Sequence, residues 1–116
     1  MATIDIGSDF SKDPLGRYRT DGDASGEAFR EDVLLPALKK LVSGEKLTLI
    51  LDNGVESYGS SFLTEGFAGV VKYGNMTADA LLAVLEFQYE NPDFEFYKDK
   101  IIKYCRESKF KSKNYS

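Results

Sequence analysis

The chain has no histidine and no tryptophan, and carries one cysteine among 116 residues. Without histidine the commonest general base and metal ligand is missing. Ser-His-Asp triads, Cys-His dyads and zinc sites built from cysteine and histidine are thereby excluded. Carboxylates alone can hold a metal, yet no EF-hand spacing occurs. Neither a metal nor another cofactor is expected. These absences argue against an enzyme. The lone Cys105 allows no internal disulfide and fits a reducing, cytoplasmic setting. No apolar run approaches the roughly 20 residues of a membrane helix, and the opening "MATIDIGSDF" lacks the basic-then-apolar pattern of a signal peptide.

What is present describes one folded unit. Apolar residues make up 42% and charged residues 29%, a balance that buries an ordinary core. The charge is divided along the chain. Residues 1 to 97 hold 8 Lys/Arg against 17 Asp/Glu, a balance of −9, and residues 98 to 116 hold 7 against 2, a balance of +5. An acidic surface over most of the domain repels phosphate and argues against nucleic acid. The division implies a domain over residues 1–108 and a basic, flexible tail over residues 109–116.

Periodicity supplies the elements. "TIDIGSDF" places Ile4, Ile6 and Phe10 in the alternation of an edge strand, and "GRYRTDGDASG" suits a short second strand from Arg17 to Thr20 followed by a loop. In "SGEAFREDVLLPALKKLV", Phe29, Val33, Ala37 and Leu41 line one face of a helix. Ser25 reads as its N-cap, and Pro36 as a kink or as the point where one face turns away from the sheet. "LTLILDN" has the continuous apolar character of a strand covered or paired on both sides. A second helix runs through Leu63, Phe67, Val70 and Val71 to Gly74, with Gly66 and Gly69 allowing a close approach to the sheet. A turn of helix capped by Thr77, a strand through Leu85, Phe87 and Tyr89, and a last helix opened by Pro92 complete the order. The expected fold class is α/β, a mixed β-sheet with helices packed against it.

Two stretches carry polar groups beyond what these elements require. In "SYGSSFLTEGF", Ser60 and Ser61 fall where a buried strand hands over to a helix. A serine there caps the helix, binds an anion beside its N–H groups, or accepts a phosphate. In "GRYRTDGDASGEAFR", glycines bracket Arg17, Ser25, Glu27 and Arg30. That set forms either a polar network holding a loop, with Arg17 or Arg30 bonded to Glu27, Asp21 or a loop carbonyl, or an anion cradle. It is no P-loop, since no Gly-Lys-Ser/Thr follows. Cys105 lies on the apolar side of the last helix and reads as packing.

These two stretches together resemble the STAS-like family of unknown function found in bacteria and their phages. The matching residues are Gly16, Arg17, Ser25, Gly26, Glu27, Phe29, Arg30, Pro36, Ser60, Ser61, Phe62, Leu63, Glu65 and Phe67. The resemblance implies a STAS-like single domain. It also implies a mechanism, because anti-sigma-factor antagonists of STAS type are phosphorylated on serine at this turn by a GHKL-type ATPase acting as serine kinase. The phospho-acceptor then falls on Ser61, with Ser60 beside it. Gly59 and Phe62 replace the acid and the glycine that flank the serines in those antagonists. The expected function is a non-enzymatic regulatory module that binds a protein partner through Ser57, Tyr58, Gly59, Phe62 and Glu65. The alternatives are a small-anion or ligand-binding protein or enzyme using the Arg17, Ser25, Glu27 and Arg30 loop, and a phage-encoded inhibitor.

Overall fold

The computed structural model describes residues 2–112. Three strands, β1 (Ala2–Asp5), β2 (Leu47–Ile50) and β3 (Leu85–Gln88), form one sheet in that spatial order. Both pairings are parallel, with Ile4 beside Leu49 and Leu49 beside Phe87. The domain is α/β as expected, but the sheet of the described residues is parallel rather than mixed. The reason lies in residues 17–20. Instead of a second strand, the chain makes a 3-10 turn at Arg19–Asp21. The Asp21 carboxylate accepts the backbone N–H groups of Arg17 and Tyr18 at 3.1 and 2.9 Å. Those bonds, Tyr18's foremost, hold the Asp21 carboxyl below its ordinary range. With that strand gone, every strand is separated from the next by helix, and such crossovers pair strands in parallel.

The first strand is also shorter than its alternation suggests. After Asp5 the chain turns into a short helix, α1 (Ile6–Asp9), whose N-cap Asp5 accepts from the Ser8 N–H. Gly7 permits this turn, since any Cβ there would collide with the Asn53 carbonyl. Helix α2 joins an α segment (Gly26–Phe29), a π-turn (Arg30–Leu34) and a second α segment (Leu35–Lys39). Ser25 caps it, accepting from the Ala28 N–H at 3.2 Å. The π-turn ends at Leu35, whose N–H reaches the Arg30 carbonyl one residue beyond the α-helical partner. The expected disturbance at Pro36 thus takes the form of a widened turn just before it.

Helix α3 has the same construction: α (Ser60–Leu63), π (Thr64–Ala68) and α (Gly69–Lys72). It stops at Gly74, which takes φ +81°. Helix α4 (Ala78–Val84), capped by Thr77, feeds β3, and Asn91 and Pro92 lead into α5 (Glu95–Glu107). Leu47, Leu49, Leu51 and Leu85 are buried under the helices with Phe29, Phe62, Phe67, Leu81 and Ile101. Cys105 is buried among them, and burial pushes its thiol up to about 12, so it is packing.

The strand "LTLI" is paired on both sides, by β1 and β3, but it does not have two covered faces. Its burial alternates, Leu47 and Leu49 inside, Thr48 and Ile50 half-exposed. Sequential parallel strands in the order β1-β2-β3 with right-handed crossovers bring both connections to one side of the sheet. Among residues 109–112 the Lys111 N–H donates to the Val71 carbonyl at 2.9 Å. The remainder of the expected tail, 113–116, lies outside the described residues.

Candidate functional site

The two polar stretches meet where α2 crosses α3. Gly26 makes this crossing close: a Cβ on it would stand 2.6 Å from the Phe62 carbonyl oxygen and 2.8 Å from the Gly66 nitrogen. Gly66 in turn faces the Phe29 ring, and a Cβ on Gly69 would collide with the Arg30 guanidinium. These glycines therefore bring α3 against α2, not against the sheet as their spacing first suggests. Phe29 lies 5.4 Å from Phe62 and 5.3 Å from Phe67, ring centre to ring centre, so an aromatic layer closes over the glycine contact.

Beside this layer lies a buried charged cluster. Arg30 Nη1 donates to Glu65 Oε2 at 2.8 Å and to the Glu65 carbonyl at 2.6 Å. Both side chains are about 99% buried, at 1% and 2% exposure. The Tyr73 hydroxyl donates to the same Glu65 Oε2 at 2.7 Å, and its ring lies 4.6 Å under the guanidinium carbon. Burial, then the bond to Glu65, pushes the Tyr73 hydroxyl up to about 12. A charge in such a place is tolerated only when paired and hydrogen-bonded. Arg30 and Glu65 each stand in a π-turn, one in α2 and one in α3. The pair thus locks two irregular turns together.

This disposition revises the expectation for the arginine loop. Arg30 goes to Glu65 rather than to Glu27, Asp21 or a carbonyl of its own loop. The arginine that holds the loop is Arg19, whose guanidinium forks to Glu31 and Asp32 at 2.9–3.1 Å. Its spacing of 12 and 13 residues from those acids gives no local signal, so it was missed. Glu27 accepts the Arg19 backbone N–H at 2.9 Å, while the Gly26 and Glu27 N–H groups bond to the Gly16 and Arg17 carbonyls. Ser25 is fully buried at its cap. Of the proposed anion-binding set, Ser25, Glu27 and Arg30 are engaged within the protein, and Arg17 stands at the surface, half-buried.

The serine pair also departs from one reading. Ser60 and Ser61 occupy the first turn of α3, but the N-cap position belongs to Gly59, which has no side chain to accept a bond. Neither serine is the cap. Ser57 and Ser60 are exposed, and Ser61 is half-buried. Three other residues expected at a partner surface lie inside. Tyr58 is buried with its hydroxyl on the Leu51 carbonyl at 2.6 Å, and Phe62 and Glu65 are core. Burial raises the Tyr58 hydroxyl well above its usual range.

An open groove of about 570 Å³ joins what remains. One wall is Leu15, Gly16, Arg17, Tyr18 and Asp21; the other is Gly59, Ser60 and Ser61. Leu15 is 69% exposed and Tyr18 41% exposed, and the Leu15 side chain lies over Gly59. The groove thus offers two large apolar side chains, one guanidinium, one carboxylate and two hydroxyls at a helix start. Leu15 and Tyr18 gave no signal in the sequence, because a lone leucine and tyrosine in a glycine-rich loop read as ordinary. Among the described residues no group of three or more acidic or cysteine side chains is placed to hold a metal, and no helix is long and apolar enough to cross a membrane.

A family model described as a STAS-like domain of unknown function matches residues 25–95, well over half of the chain. The match takes in α2, β2, α3 and β3 with both halves of the buried cluster, while Leu15 to Tyr18 precede it. No curated protein and no solved structure matches the chain.

Proposed function

We propose, on the premise that the chain belongs to the STAS-like domains of unknown function, that it is a non-enzymatic regulatory module docking a protein partner in the groove between Leu15–Tyr18 and Gly59–Ser61. The observation that carries this reading is the convergence of both polar stretches on one open groove flanked by exposed Leu15 and Tyr18. Aromatic and aliphatic side chains flanking hydroxyls and one arginine are the composition of a docking patch. Ser61 is the regulatory hydroxyl of this module. A phosphate on it would stand at the start of α3, where N–H groups and the helix dipole favour an anion, and would place roughly −1.5 to −2 charge in the groove.

The partner class that fits is a GHKL-type ATPase acting as serine kinase, in a cytoplasmic setting. The engagement of Ser25, Glu27 and Arg30 within the fold favours this reading over an anion site in their loop. Retention of that ATPase on immobilised wild type, Ser61→Ala and Ser61→Asp protein tests it, beside intact-mass analysis of the native protein. Ser61→Ala should bind like wild type and Ser61→Asp should lose or redirect binding. Equal retention by all three, with no phosphate on the native chain, would refute the switch.

A further inference from the structure

Among the described residues, the sheet has one bare face. Parallel sheets normally have both faces covered, yet here Thr48 and Ile50 are half-exposed and Glu86 and Gln88 exposed on the side away from Leu47, Leu49 and Leu85. Register assigns Thr3, Thr48 and Glu86 to one row of the other face, and Asp5, Ile50 and Gln88 to the next. Glu86 and Gln88 are exposed, and Ile50 at the centre is half-exposed. At the carboxyl end of the strands a hollow of about 290 Å³ opens, bordered by Asp5, Asp52 and Glu90 and by no lysine or arginine. Lys46, 3.6 Å from Glu86, is the one cation paired with an acid of this face among the described residues. The face is therefore acidic, with a single aliphatic side chain at its middle.

The opposite character appears at the other end of the chain. Lys103, Lys109 and Lys111 are exposed on or after α5, as is Arg106, which pairs with Asp79 at 3.7 Å. Phe96 and Phe110, 59% and 50% exposed, stand among them with no place in the core. We propose that the bare face receives the basic, aromatic end of a second copy of this chain, residues 96–112, in a head-to-tail contact. One contact accounts for three otherwise unrelated features: the uncovered parallel sheet, the divided charge and the exposed phenylalanines. The two surfaces differ, so the contact is heterologous and leaves a free face and a free end on every assembly until a ring closes. Three strands of four residues make a face of about 200 Å², far below the roughly 800 Å² per partner of a stable complex. The association is weak and driven by charge, and it competes with nothing in the Leu15–Ser61 groove.

Sedimentation of the purified full chain, at concentrations up to about 1 mM, tests this in about 50 mM and about 500 mM salt. The mass should exceed two copies at low salt and fall toward 13.0 kDa at high salt. Two doubly charge-reversed variants sharpen the result. Glu86→Lys with Gln88→Lys spoils the face, and Lys103→Glu with Lys109→Glu spoils the end. Each alone should associate about tenfold more weakly or less, while their equimolar mixture should recover association, because the intact face meets the intact end and the lysine-bearing face is again opposite in charge to the glutamate-bearing end. Melting curves matching wild type confirm that both variants fold. A single 13.0 kDa species at every concentration and salt, or variants that associate as wild type does, would overturn the proposal.

Discussion

The α2–α3 crossing and the groove at its edge are built from the same two stretches of sequence, and they use them in opposite ways. At the crossing, Arg30, Glu65 and Tyr73 are buried and bonded to one another, and Gly26 lets the helices touch. At the groove, Leu15, Arg17, Tyr18, Ser60 and Ser61 line open space. The matched segment, residues 25–95, therefore holds both halves of the crossing but only the serine wall of the groove. Residues at the crossing specify architecture, and those at the groove are the ones the proposed docking uses. The practical consequence is a separation of effects: substitutions at the crossing should lower stability first, and substitutions of the exposed groove residues Leu15 and Tyr18 should lower binding alone.

The largest effect should come from breaking the buried pair. Arg30→Met leaves the Glu65 carboxylate in the interior without its partner, at a cost of about 3–5 kcal/mol. Chemical denaturation measures it, and a loss below 1 kcal/mol would mean that water reaches the cluster. Gly26→Ala comes next. Its methyl group would press on the Phe62 carbonyl and the Gly66 nitrogen, backbone atoms that cannot swing aside. A loss of about 1–3 kcal/mol is expected, with α2 and α3 forced apart.

Tyr73→Phe removes one hydrogen bond to the buried carboxylate while keeping the ring under Arg30, for about 1.5–3 kcal/mol at neutral pH. It also predicts a pH signature. The folded-state Tyr73 hydroxyl is raised from 10.0 to about 12, so the fold favours its neutral form. That contribution is complete below pH 10 and is lost as pH rises through about 12. The stability of wild type should fall across this window more steeply than that of Tyr73→Phe. At the small end, Arg19→Ala breaks a fork that is open to solvent, and the melting temperature should stay within error of wild type.

The elements with strong local signals were legible in the sequence. Leu47 to Leu51 announced a central strand by apolar density, Ser25 and Thr77 announced helix starts, and Gly74 announced a stop. The misread parts depend on distant partners. "GRYR" has the composition of a strand, but Asp21 closes it into a turn. Gly66 and Gly69 reveal that something approaches closely without saying what, and the answer is a helix 37 to 40 positions earlier in the chain, where Gly26, Phe29 and Arg30 stand. Arg30 and Glu65 are 35 residues apart, so neither could be paired by spacing. The groove was half legible. Its serine wall was read from the handover of strand to helix, whereas its Leu15 and Tyr18 wall exists only once the loop folds back through the Gly26 and Glu27 N–H groups.

The central claim, that the groove rather than the crossing contacts the partner, is tested most directly by paired capture from the native host. Wild type is compared with a variant carrying Leu15→Glu and Tyr18→Ala, two exposed positions whose change should leave the melting temperature intact. The account predicts a protein retained by wild type and lost, by about tenfold or more, from the equally stable variant. Identical retention by both proteins would contradict it.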